Sequence, residues 1–130
     1  MFIPDFMSFD AIIQPGAGFT VTRDLQPVTS GFAVAIRPEC ERIIPLSNLT
    51  PEIWEANVIS YLHQWQDTFR NPLYNFGAWN NEGHIFLDAP CVETHEQHAV
   101  NLGVEFGQLA IYDLSTGTEI SLWLKTRNNR

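Results

Sequence analysis

Residues 74–114 read YNFGAWNNEGHIFLDAPCVETHEQHAVNLGVEFGQLAIYDL and carry the clearest secondary-structure signals of the chain. Two short segments rich in aromatic and β-branched residues, 75–79 and 84–88, flank the sequence Asn-Asn-Glu-Gly. Asparagine and glycine tolerate the left-handed backbone of a tight turn, so the two segments are predicted to form a β-hairpin. Ala89-Pro90 is predicted to end its second strand, because proline cannot donate to a strand ladder.

A helix and another strand are predicted after the hairpin. Thr94 is a suitable N-cap, and apolar residues follow at helical spacing on one face, namely Ala99, Leu102 and Phe106. Gly107 is expected to end this helix in a left-handed conformation. Residues 109–112 then predict a buried strand that ends in a turn at 113–117.

The first half of the chain predicts strands at 19–23, 31–37 and 42–44, followed by the longest helix. Thr50 is a favourable N-cap for that helix, and Pro51 fits its first position. Its core-facing stripe is predicted to contain Trp54, Val58, Leu62, Trp65 and Phe69.

These elements predict an α+β domain with an antiparallel sheet and two main helices. From Gly31 onward, the order strand, helix, strand, strand, helix, strand fits a ferredoxin-like βαββαβ core. In that arrangement, the apolar segments 32–36 and 85–87 form the central strands. If 19–23 pairs with 31–37 instead, it takes an edge that the ferredoxin-like topology reserves for another strand.

The chain is predicted to have three parts: an apolar arm and linker (1–17), one α+β domain (18–124) and a basic tail (125–130). The arm carries Phe2, Phe6, Phe9 and Ile13 at helical spacing. It is expected to be ordered and to close an apolar surface, either in the same chain or across a homodimer.

Composition and charge restrict the classes of partner. An apolar fraction of 45% in 130 residues indicates a globular protein with a core. The net charge of −8, from 15 acidic and 7 basic residues, repels phosphate backbones, so direct nucleic-acid binding is not expected. A basic protein, or a site that normally holds DNA, would be attracted.

The chain is expected to be cytoplasmic. Two cysteines, Cys40 and Cys91, do not make a disulfide framework and are interpreted as reduced thiols. The apolar N-terminus has no basic region and is interrupted by Pro4 and Asp5, so it does not resemble a signal peptide. No stretch approaches the roughly 20 apolar residues that a membrane span needs.

Cys91, His95 and His98 are the candidate metal ligands, because these residue types bind zinc. They lie at i, i+4 and i+7 around the predicted start of the second helix. Residues i and i+7 are about 10 Å apart along a helix axis, so all three cannot reach one ion. Solvated polar positions are the simpler interpretation, and no metal or cofactor is expected.

Asp88 and Asp113 each follow an apolar strand and are candidate catalytic carboxylates, with His95 as a further candidate. Two carboxylates brought together can do acid–base chemistry or hold a magnesium ion. Both positions are also ones where turns favour aspartate.

Aromatic residues are the candidate binding residues. Trp79 borders the hairpin turn, and Trp123 lies just before the basic tail. An exposed aromatic residue there would indicate a binding surface, whereas a packed final strand is the alternative. The arm adds Phe2, Phe6 and Phe9.

The pattern Gly77-Ala78-Trp79, Gly83 to Asp88, Gln108 to Leu114 and Thr116-Gly117 resembles a family of small uncharacterised proteins of actinobacteria and their phages. The likeness covers roughly residues 18–122, and residues 29–34 resemble an earlier segment of that family. The resemblance implies a cytoplasmic accessory protein associated with phages or mobile elements, and it implies no activity.

Three functions follow as hypotheses. The leading one is an accessory protein that binds or inhibits a partner protein, because aromatic content and negative charge are high and catalytic motifs are lacking. The second is a small hydrolase or transferase that uses Asp88, Asp113 or His95. The third is an acidic mimic of DNA, although 17% charged residues is sparse for imitating a duplex.

Overall fold

The computed structural model describes residues 3–123, and in that range the chain forms eight strands and four α-helices. This confirms the α+β class. None of the described helices is long and apolar enough to cross a membrane. The strands are β1 (Gly18–Val21), β2 (Phe32–Val34), β3 (Arg42–Pro45), β4 (Phe76–Asn81), β5 (His84–Asp88), β6 (Cys91–Glu93), β7 (Ala110–Asp113) and β8 (Thr118–Ser121). The α-helices are α1 (Phe9–Ile12), α2 (Pro51–Gln64), α3 (Gln66–Phe69) and α4 (Glu96–Glu105), with short 3-10 turns at Asp5–Met7 and Pro38–Cys40.

The strands form two antiparallel sheets instead of one. Sheet A has the order β1-β4-β5-β3, and sheet B has the order β6-β2-β7-β8. The ferredoxin-like arrangement is not confirmed, because it needs β2 and β5 in the same sheet. Pro90 interrupts the strand after β5, and the chain continues as β6, which pairs with β2. β1 pairs with β4 and leaves β2 to sheet B.

The predicted hairpin is confirmed as β4 and β5, with Trp79 opposite Phe86. Its turn is shorter than the sequence suggests, since only Glu82 and Gly83 lie between the strands. Their φ angles are 50° and 80°. Positive φ at both central residues is the mark of a type I′ turn, whose twist matches that of the strands.

Helix α2 begins as predicted, because Thr50 Oγ1 accepts a hydrogen bond from Ile53 N at 3.2 Å. The predicted helix is divided at Trp65, which separates α2 from α3. Trp54, Val58 and Phe69 from the predicted stripe are buried, together with Tyr61, which the stripe omits; Leu62 and Trp65 are partly buried. The Tyr61 hydroxyl donates to the Cys40 carbonyl at 2.7 Å and joins the helix to the chain before β3.

The described residues of the arm pack against their own chain. This is one of the two arrangements that the sequence predicts, the other being packing across a homodimer. Met7 and Ile12 are buried in the core of sheet A. Trp54 Nε1 donates to the Met7 carbonyl at 2.9 Å, and Asn80 Nδ2 donates to the Ile12 carbonyl at 2.9 Å. The predicted single helical stripe is confirmed only in part, because two short helical turns replace one helix. Phe9 and Ile13 are partly buried against the core, whereas Phe6 remains 40% exposed.

Helix α4 covers sheet B and forms a second, smaller core of Val34, Cys91, Ala99, Val100, Ile111 and Leu122. The N-cap of α4 is His95 and not the predicted Thr94. Gly107 has a φ of 69°, which confirms the predicted left-handed end. Gly103 faces Leu122 and Ile111 so closely that a Cβ atom would clash with Leu122, so the glycine allows the helix to approach the sheet.

Candidate binding surface

The face of sheet A that points away from α2 carries three large apolar residues in one row. Residues opposite each other on antiparallel strands share a face, and the register places Trp79 opposite Phe86 and Phe86 opposite Ile43. Side chains alternate along a strand, so their neighbours Ile85 and Ile44 point into the core on the other side. We call Trp79, Phe86 and Ile43 the apolar row.

The apolar row is open to solvent at its β3 end. Ile43 is 53% exposed, and Phe86 and Trp79 are half-buried. The rings of Trp79 and Phe86 pack at a centroid distance of 5.8 Å, and His84 lies 6.5 Å from Phe86 on the same face. The two aromatic members of the row therefore hold each other in place, and Ile43 extends the apolar strip at its exposed end.

Sheet B covers only the opposite end of the row. Tyr112 of β7 packs edge-on against Trp79, with a centroid distance of 6.0 Å. On the next row of the same face, Thr20 and Gly77 are buried. Sheet B thus contacts the row at Trp79, whereas Ile43 at the other end is exposed.

A second group of exposed apolar side chains lies where α4 leads into sheet B. Phe106, Leu109 and Trp123 are each about half exposed, Trp123 at 46%. The Leu122 amide donates to the Leu109 carbonyl at 2.7 Å, which places Trp123 beside the start of β7. Of the other predicted binding residues, Phe9 is partly buried against the first core and Phe2 lies outside the described residues.

Asp88 is the last residue of β5, and its side chain lies in a crowded position. It stands opposite Gly77, where a Cβ atom would clash with Asp88 Oδ1 and crowd Pro90. Burial raises the pKa of this carboxyl from 3.8 to about 7, and the negative charge of Glu41 adds to the effect. The pKa of Tyr61 is raised as well, first by burial and then by the charge of Asp88.

The candidate catalytic residues do not come together. Asp88 is in sheet A and Asp113 is in sheet B. Asp113 Oδ1 accepts the Ser115 amide at 3.0 Å, which is the turn role expected of an aspartate there. His95 is exposed at the start of α4. Two grooves of the described residues, one beside the hairpin turn and one beside the arm, are lined by none of these three side chains.

The candidate metal ligands are likewise divided. Cys91 belongs to β6 and is buried in the second core, and burial raises the pKa of its thiol. His95 and His98 are exposed on the surface, with their rings 5.2 Å apart. In the range 3–123, no three His, Cys, Asp or Glu side chains are grouped in a way that could hold a metal ion.

Among the described residues, acidic side chains outnumber basic ones. Acidic side chains occur on the arm, both long helices and both sheets, whereas the described part of the chain has four basic residues. Three of them bind other side chains, and Arg23 is exposed. Arg42 donates to Ser60 Oγ at 2.7 Å and to Gln64 Oε1 at 2.6 Å, which ties β3 to α2. Arg37 pairs with Glu39, and Arg70 pairs with Asp67. The basic tail 125–130 lies outside the described residues.

Sequence reasoning identified Trp79 but missed Ile43 and Phe86 as surface residues. The alternation in β5 contained a usable signal, since His84, Phe86 and Asp88 must share the face opposite Ile85 and Leu87. The contribution of Ile43 depends on the pairing of β3 with β5, which no local pattern encodes.

Comparison with models of protein families, with curated proteins and with solved structures finds no match to this chain. No relative therefore lends an activity, a ligand or a partner to these surfaces.

Proposed function

We propose that this protein is a small cytoplasmic accessory protein that binds a partner protein through the apolar row of sheet A. The observation that carries the proposal is the alignment of Trp79, Phe86 and Ile43 on one sheet face, with Ile43 left 53% exposed. Aromatic anchors in the centre of an interface contribute most of the binding free energy in many complexes. The resemblance to phage-associated proteins supports a mobile-element setting.

The shape of the surface favours a protein over a small molecule. Ligand pockets are concave and enclose most of their ligand, whereas the apolar row lies on an open sheet face. Its residues come from three strands of one sheet, and ring packing holds Trp79 and Phe86, so these two side chains lose little conformational entropy on binding. A second copy of the chain is one partner that this face can accept.

The experiment compares two double variants of the full chain. Ile43→Ser with Phe86→Ser alters the apolar row, and Ile53→Ser with Ile59→Ser alters exposed positions of α2, where the isoleucines are 44% and 39% exposed. Tagged wild-type protein is used to recover binding partners from a host lysate, and analytical ultracentrifugation measures self-association. The row variant should lose the partner or the dimer, and the α2 variant should retain it.

Circular dichroism of both variants establishes that they are folded before binding is compared. Recovery of no specific partner and no dimer at low and moderate salt would contradict the proposal. Equal loss in the two variants would contradict it as well, because binding would then depend on general surface hydrophobicity and not on the row.

A further inference from the structure

An acidic groove adjoins the apolar row and shares Trp79 with it. The groove has a volume of about 540 Å³ and lies between the β4–β5 hairpin, the linker after the arm and β8 of sheet B. Its lining includes Pro15, Leu46, Trp79, Asn81, Glu82 and Glu119. It is therefore the place where the two sheets and the N-terminal linker meet.

The groove is charged on two sides, and its lining in the described part of the chain supplies no counterion. Glu82 comes from the hairpin turn and Glu119 from β8, and both are exposed. None of the residues that line the groove is basic, and the ion pairs of the described chain involve neither glutamate. Glu119 lies opposite Tyr112 in the β7–β8 pair, and Tyr112 in turn packs against Trp79 of sheet A. Burial, and then the Glu119 charge, raise the pKa of Tyr112.

Trp79 gives this groove an aromatic wall with a fixed orientation. Its ring is held between Phe86 at 5.8 Å and Tyr112 at 6.0 Å. A guanidinium or ammonium group is attracted to the face of an indole ring, and carboxylates beside the ring strengthen the attraction. Arginine suits such a site better than lysine, because its planar group can stack and also bind a carboxylate through two hydrogen bonds.

We propose that the groove binds an arginine-bearing extended segment of the partner protein, with an arginine side chain placed between Glu82, Glu119 and Trp79. This inference rests on the proposed function and specifies the chemistry of the partner. Charge complementarity supports it, because residues 1–124 contain 15 acidic and 4 basic side chains. The negative electrostatic field of these side chains draws a basic partner toward the protein and accelerates association.

The test is isothermal titration calorimetry of the full chain with an octapeptide of alternating arginine and glycine. Binding is expected, and replacing Glu82 and Glu119 by glutamine should weaken it by about tenfold or more. The matched control replaces two exposed glutamates of α4 by glutamine, Glu96 and Glu105, and should change binding by less than about twofold. The glutamate–glycine counterpart of the peptide should not bind.

Three outcomes would overturn the proposal. The first is a lack of binding by the wild-type protein, and the second is equal weakening in both glutamine variants, which would indicate attraction by net charge alone. The third concerns the tail of this chain: if replacing Lys125, Arg127 and Arg130 by glutamine tightens peptide binding more than about fivefold, the tail and not a partner occupies the groove.

Failure of this inference is distinguishable from failure of the proposed function. If the Ile43→Ser, Phe86→Ser variant loses its partner while the Glu82→Gln, Glu119→Gln variant keeps it, the apolar row binds a partner without an arginine contact. That result would retain the proposed function and overturn the assignment of the groove.

Discussion

Replacement of Asp88 by asparagine is expected to stabilise the protein at pH 8 and to have little effect near pH 4. The carboxyl ends β5 opposite Gly77 and beside Pro90, with Glu41 as its nearest charged influence. Among the described residues, none donates a hydrogen bond to this carboxylate that would offset the loss of water. Asparagine has nearly the same shape but carries no charge to desolvate.

The direction of the pH effect follows from the two protonation states. The pKa of Asp88 is about 7 in the folded chain and 3.8 for the ordinary group, so the folded state holds the proton to higher pH. Between these values unfolding releases a proton, and the free energy of unfolding therefore decreases as pH rises. Below pH 4 both states are protonated and the contribution vanishes, whereas above pH 7 the penalty is complete.

The size of the pKa shift of Asp88 sets an upper limit on the free energy of unfolding that Asp88→Asn can add. One pKa unit corresponds to about 1.4 kcal/mol, so a shift of about three units sets an upper limit near 4 kcal/mol. Asp88 is only half-buried, and solvent screening reduces the penalty, so about 2–3 kcal/mol is expected at pH 8. That is a large fraction of the stability of a small domain.

Urea unfolding followed by tryptophan fluorescence at pH 4.5 and pH 8 measures the effect. The asparagine variant should exceed the wild type in unfolding free energy at pH 8, and the difference should shrink toward zero at pH 4.5. Glu41→Gln should give a smaller change in the same direction, because it removes only the second cause of the shift. A difference between Asp88→Asn and wild type that does not change with pH would refute the reasoning.

Two further predictions concern buried contacts of sheet A. Tyr61→Phe removes the hydroxyl that donates to the Cys40 carbonyl at 2.7 Å and should cost about 1–3 kcal/mol of unfolding free energy, since a buried acceptor loses its partner; an unchanged urea midpoint would contradict this. Met7→Ala leaves a cavity where the arm enters the core and should cost about 2–5 kcal/mol. If calorimetry shows the melting temperature of that variant unchanged, the arm does not contribute to the core.

Local features of the fold were predictable because each depends on a few neighbouring residues. The hairpin follows from the asparagine- and glycine-containing stretch 80–83 between two apolar strands, although its turn is only two residues long. The start of α2 follows from Thr50 and Pro51, and the end of α4 follows from Gly107. A local contact also explains why the predicted helix of the arm is not continuous. The arm has apolar residues at helical spacing, but Ser8 caps α1 and divides the segment into two short turns.

The candidate site was predictable only in part. Trp79 is identifiable as an aromatic residue next to a turn, whereas its partners in the apolar row come from strand pairing. Glu119 joins the acidic groove from β8, far along the chain from Glu82. Neither the composition nor the spacing of these glutamates distinguishes them from the other acidic residues of the surface.

The sequence by itself determined the α+β class, the hairpin, the two main helices and the overall negative charge. Only the tertiary structure decided that the strands divide into two sheets, that β1 pairs with β4, and that Asp88 loses much of its water. The physical reason is the range of the interactions involved. Turns and caps are stabilised by contacts within a few residues, whereas strand partners and buried surfaces are selected by packing between segments far apart in the chain.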